Sequence, residues 1–205
     1  MKRRDMLRLS LLAGAGVAVP AAGASGESCA RDETDGTPAQ FLPKAAPDPA
    51  PLTGELDKYP ICPYCGMDRR YFHKSRMLIH YGGDRPDPLC SIHCAVISLA
   101  LNLSLDPRAI HVADNASDID PRPLIDAERA TFLVGSDIPG VMTAKSKVAY
   151  GSVQAATAAQ QRHGGELMDF PRALQVAFAD LGEDMARMRK AREERRKRAA
   201  KRNAG

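Results

Sequence analysis

The chain has 205 residues, enough for one domain or two very small ones with appendages, and 44% of it is apolar although it contains no Trp. The formal net charge of +4 is unevenly spread: Lys2, Arg3, Arg4 and Arg8 face only Asp5 at the start, and ten Lys/Arg face four Asp/Glu from Glu183 onward. The basic surplus is therefore a leader and a tail around a mildly acidic middle, which argues against a nucleic-acid partner.

Residues 1–24 read as a cleaved export signal. A charged start precedes a short apolar stretch, 6–19, too short to span a bilayer comfortably, and Ala22-Gly23-Ala24 offers the small residues a signal peptidase needs. Arg3-Arg4-Asp5-Met6-Leu7-Arg8 follows the twin-arginine (Tat) pattern, so the expected destination is the periplasm. Cys29, just beyond, is a candidate for lipidation and hence for membrane anchoring, although Glu27 is out of place in a lipobox. Residues 25–56, rich in Pro, Ala, Asp and Gly, read as a disordered tether, with order beginning near Tyr59.

The folded part, 57–182, reads as α+β, in two small ββα-type modules at about 57–114 and 122–182. The first has a strand over 76–81, a turn at Gly82-Gly83-Asp84, a mostly buried helix over 89–103 and a strand over 109–113. The second has strands over 130–134 and 147–150, a loop between them, and a helix over 153–163. Ser152 is that helix's N-cap and Gly164-Gly165 its stop, before a last strand over 166–170. An echo points to internal duplication: Gly66-Met67 precedes Lys74-Ser75-Arg76 and a strand, and Val141-Met142 precedes Lys145-Ser146-Lys147 and a strand. Residues 174–180 suit a short amphipathic helix, and 183–205 a basic, solvated helical tail.

Five cysteines are present: Cys29 alone, and Cys62, Cys65, Cys90 and Cys94 as two close pairs. Outside the cytoplasm such thiols are oxidised unless protected or metallated. One reading is a thiol–disulfide oxidoreductase, since Cys62-Pro63-Tyr64-Cys65 has the letters of a glutaredoxin dithiol. That chemistry needs the first cysteine at a helix N-terminus, but Gly66 follows at once and no apolar helical stripe continues. A second reading closes both pairs around one tetrahedral Zn(II), or links them as disulfides, giving a stapled interaction module. The third is Cu(I), which prefers thiolate and thioether sulfur with imidazole as a further donor. Cys62, Cys65 and Met67 share one loop, Cys90, His93 and Cys94 surround a helix start, and Met142 adds a loop thioether.

Cys65-Gly66-Met67, then Ile125-Asp126-Ala127-Glu128-Arg129-Ala130, the run FLVGSDIPGVM and finally HGGELMDF together resemble the NosL family, over roughly residues 59–174. The resemblance implies an exported, non-enzymatic accessory protein, commonly a lipoprotein, that delivers copper to nitrous oxide reductase. It implies two small ββα-type modules and a Cu(I) site of cysteine, methionine and histidine, with Cys65, Met67 and Met142 on the family's positions. The implied partner is the copper-accepting enzyme or its assembly factors. The chain departs from the pattern in its Tat-like signal, in the extra Cys62, and in Cys90-Ser91-Ile92-His93-Cys94, where a single sulfur residue is expected. Those departures point to a thiol-richer site or a different acceptor, and leave a zinc or mercury preference open.

Overall fold

The structure, a computed structural model, describes residues 43–203; the expected export signal, Cys29 and the first part of the tether lie outside them. The rest of the tether is packed rather than loose. Asp48 accepts hydrogen bonds from the Tyr59 hydroxyl and the Lys58 ammonium, both at 2.6 Å. A single helical turn, α1 (Glu55–Lys58), buries Glu55 and Leu56. Order thus begins before Tyr59, because the Glu55 carboxylate is needed inside to neutralise two guanidinium groups, those of Arg69 and Arg76.

Strand β1 (Met77–Tyr81) turns through Gly82–Asp84 into β2 (Arg85–Leu89). Sequence patterning missed β2 because Pro86 and Pro88 interrupt it. Proline removes a ladder donor and is tolerated at a sheet edge, which is where the strand order β2-β1-β3-β4 puts it. Helix α2 (Ile92–Leu101) is shorter than expected: Leu89 belongs to β2, and Ser91 is an extended N-cap at φ −168°. Strand β3 (Pro107–Ala113) returns antiparallel to β1, and β4 (Leu124–Asp126) pairs with β3. Residues expected to open the second module therefore complete the first sheet.

The second sheet, ordered β6-β5-β7, contains β5 (Thr131–Val134), β6 (Lys147–Tyr150) and β7 (Glu166–Met168), all antiparallel. Between β6 and β7 lies α3 (Val153–His163), whose N-cap Ser152 accepts from the Ala155 amide at 3.2 Å and whose C-cap is Gly164. The α+β class holds, and both sheets share one connectivity: a hairpin, a helix, then a third strand beside the first. The sequence echo does not follow that connectivity. Residues 74–76 lead into β1, the first strand of its hairpin, whereas 145–147 lead into β6, the second of its own. The Met67 and Met142 loops hence occupy different places in the two units.

The main core gathers Met77, Ile79, Leu89, Val96, Phe132 and Phe170, each worth about 1.5–3 kcal/mol on burial. A smaller cluster of Leu133, Tyr150, Ala156 and Ala159 lies under α3. One long helix, α4 (Phe170–Asn203, 34 residues), packs against α2 and β5. It passes through the expected boundary at 182/183 without a break, and Asp184 is 3% exposed. Its buried residues are Phe170, Ala173, Ala177 and Asp184; beyond Ala177 only the aspartate is buried, so apolar periodicity does not announce the last part. Among the described residues no helix is long and apolar enough to cross a membrane.

Candidate metal centre

Residues 62–67 form a tight knuckle rather than the start of a helix. The Cys62 amide donates to the Met67 carbonyl and the Gly66 amide to the Cys62 carbonyl, each at 2.9 Å, with a bridge between Ile61 and Asp68 below. Gly66 closes the knuckle at φ +76°, a conformation costly for other residues. The Tyr64 and Met67 backbone amides point at the sulfurs of Cys62 and Cys65 respectively. Amides aimed at sulfur stabilise thiolate, the form that binds metal.

The second pair arrives from β2 and α2. Cys90 follows the last residue of β2, and Cys94 sits in the first turn of α2, its amide donating to the Ser91 carbonyl at 3.1 Å. The first turn of α2 holds no acidic residue, and Ser91 makes no side-chain cap. A metal-bound thiolate there would meet the partial positive charge of the helix N-terminus.

All four sulfurs lie within 4.8 Å of one another. Cys65 is 3.4 Å from Cys90, and Cys90 is 3.7 Å from Cys94. All four are free thiols; Cys62, Cys90 and Cys94 are buried and Cys65 is half-buried. Crowding splits their acidities. Hydrogen bonds from Cys65, Cys90 and Cys94 hold the Cys62 thiol far below its ordinary range. Cys62 pushes Cys65 up, but Cys90 and Cys94 outweigh it and leave Cys65 lowered. Hydrogen bonds to the thiolates of Cys62 and Cys65, with burial, push Cys90 and Cys94 up. The protons come off the group as a set, and a soft cation that replaces them relieves the repulsion.

The knuckle is fixed from behind by a residue the sequence did not single out. Arg69, fully buried, donates to the carbonyls of Tyr59 (2.6 Å), Leu89 (3.1 Å) and Met77 (3.2 Å) and pairs with Glu55 at 2.8 Å. Tyr64 donates to buried Asp87 at 2.6 Å, and Ser98 of α2 donates to the same carboxylate oxygen. Burial pushes the Asp87 carboxyl up to about 6 against the pull of those two donors.

Beside the cluster opens a cavity of ≈ 270 Å³ lined by Cys65, Cys94, His93, Met142, Met185 and Met188, with Arg189 and Arg192 at its border. His93 is not part of the thiol cluster. Burial holds its imidazole below the ordinary pKa, against the pull of Asp184. Met142 sits in the cavity wall at φ +64°, in a loop tied to α4 by the Ala144 amide, which donates to Asp184 Oδ1 at 2.9 Å. Met67 is half-buried against the main core and does not line this cavity. Met185, Met188 and Asp184 escaped sequence reasoning; the available signal was an M-x-x-M spacing in an otherwise charged tail.

The model of the NosL family matches residues 53–175, more than half of the chain. The chain belongs to the NosL family. Among solved structures it is similar to the crystal structure of the copper chaperone NosL from Shewanella denitrificans. That likeness has 21% identity over 54% of this chain and 87% of that one, with a TM-score of 0.44. It is also similar to the solution NMR structure of the apo-NosL protein from Achromobacter cycloclastes, at 26% identity over 46% and 82%, with a TM-score of 0.33. A comparison with curated proteins finds no match. All four clustered cysteines, His93 and Met142 fall within the span matched to NosL. Asp184, Met185 and Met188 lie beyond it.

Proposed function

We propose that this NosL-family chain is an exported carrier of Cu(I), which it passes to a copper-accepting enzyme outside the cytoplasm. Nitrous oxide reductase is the acceptor that the family resemblance implies. The reading is carried by one observation: a four-thiol cluster within 4.8 Å whose Cys65 and Cys94 face a cavity that also bears imidazole and thioether groups. A structural zinc site is closed by its own ligands. A carrier needs sulfur donors reachable from one side, so that an acceptor's ligands can replace them one at a time. Thioethers on the open side favour Cu(I) over Zn(II). Arg189 and Arg192 at the mouth suit an acidic partner surface.

The burial of three of the sulfurs also suits a zinc-stapled module, and competition separates the two. In an anaerobic titration of the reduced chain loaded with one Zn(II), one equivalent of Cu(I) should expel the zinc, and the copper should then pass to a stronger chelator without loss of fold. Zinc retained against Cu(I) would contradict the carrier reading. No glutaredoxin-type activity is expected, because Cys62 lies in a knuckle and not at a helix N-terminus. Export by the Tat route rests on the leader: Arg3-Arg4→Lys-Lys should strand the precursor in the cytoplasm, and normal export of that variant would sink this part of the proposal.

A further inference from the structure

We infer that the cavity beside the cysteine cluster is a second Cu(I) site, formed by Met142, Met185, Met188 and His93, through which the ion enters and leaves the thiolates. The inference rests on the copper reading of the cluster and deepens it with the residues of its cavity, two of them on the part of α4 beyond the family match.

Three observations meet at this cavity. Met185 and Met188 are three residues apart on α4 and so share a face; both are half-buried, both line the cavity, and neither belongs to either apolar core. Core packing therefore does not account for them. Met142 lines the same cavity while holding a left-handed backbone that methionine adopts at a cost.

The third observation is His93. Its side chain is 1% exposed, and neither ring nitrogen has a hydrogen-bond partner. Nδ1 lies 3.7 Å from Asp184 Oδ2, too far for a hydrogen bond but on the side a carboxylate would hold. Buried polar atoms left unpaired are rare and costly. Metal-binding histidines characteristically turn one nitrogen to a carboxylate and the other to the ion, which leaves Nε2 as the donor here. Asp184 thus serves both walls at once, facing His93 and anchoring the Met142 loop through the Ala144 amide.

Thioethers and an imidazole nitrogen bind Cu(I) by simple ligand exchange, with no change in oxidation state. Such a site is weaker than thiolates, and the nearby Arg189 and Arg192 weaken it further. An ion arriving at the mouth is therefore drawn inward to the anionic cluster, and an acceptor can take it back by the same steps. Zn(II), a poor partner for thioether sulfur, gains little there.

The test uses the reduced full chain carrying ¹³C-methyl methionine, titrated anaerobically with Cu(I) against a chromophoric Cu(I) chelator. Methyl signals are assigned by single Met→Leu variants. The wild-type chain should take a second equivalent that moves the methyl signals of Met142, Met185 and Met188 and leaves that of core Met77 in place. The double variant Met185→Leu/Met188→Leu keeps the apolar bulk; it should bind the second equivalent at least tenfold more weakly and the first unchanged. A second ion taken up with those three methyl signals still, or bound equally by the double variant, would overturn the inference. So would uptake of a single equivalent by both proteins, which leaves the copper reading of the cluster intact. Failure of the wild-type chain to bind any Cu(I) would remove that reading as well.

Discussion

Arg69 has no exposed surface, yet it carries a charge, and the knuckle depends on it. Removing it leaves the buried Glu55 carboxylate with one partner fewer and takes a donor from each of three carbonyls. Arg69→Ala should cost about 3–5 kcal/mol in urea unfolding and should weaken metal binding by loosening Cys62 and Cys65. Asp87 gives a pH signature. Its carboxyl is pushed up to about 6 in the folded chain, from 3.8, chiefly by burial, so the folded state favours the neutral form. The contribution of Asp87 to the stability of the metal-free chain should therefore fall as pH rises from about 4 to about 6, by about 3 kcal/mol in all, and level off above, read as the difference between the native chain and a variant that lacks the carboxyl. Asp87→Asn keeps an oxygen for the Tyr64 and Ser98 donors and should flatten that slope in a urea series across pH. Met142 allows a third test. Met142 also packs against the main core, so Met142→Leu, which keeps that bulk, should leave thermal stability unchanged while copper uptake weakens. Copper uptake equal to that of the native chain would contradict a ligand role for the thioether.

At the scale of elements, α4 decides how far the folded unit extends. Cutting the chain after Gly182 removes Asp184, and with it the tie to the Met142 loop. That truncation should lower stability by about 2 kcal/mol, or roughly 5 °C. Cutting after Arg192 removes only largely exposed helix and should change neither stability nor copper affinity. Equal behaviour of the two truncations would contradict the role given to Asp184. Much of this fold was legible in advance: β1, β5, β6 and α3 fall where apolar runs and the Ser152 cap indicated. Strand β2 was hidden by Pro86 and Pro88, since patterning cannot tell a sheet edge from a loop. The unbroken course of α4 was hidden because beyond Ala177 its one buried residue is an aspartate. At the site, the two cysteine pairs were visible as spacing. The convergence of β2, α2 and the knuckle, which puts all four sulfurs together, is tertiary, and so is the approach of Met185 and Met188.

At the scale of the whole molecule, the two sheets do different work. The first, with α2 and the knuckle, supplies the thiols. The second supplies the Met142 loop, and α4 joins the two by packing on α2 while holding that loop. The account's central claim is that the cysteine cluster holds copper as Cu(I) through sulfur. Its most direct test is copper K-edge X-ray absorption on the reduced chain loaded anaerobically with one Cu(I). The expected result is a reduced-copper edge and a first shell of sulfur alone, with thiolate ligation lost when Cys62, Cys65, Cys90 and Cys94 are all replaced by Ser while circular dichroism stays native. A first shell dominated by nitrogen or oxygen, or one unchanged by loss of all four thiols, would contradict it.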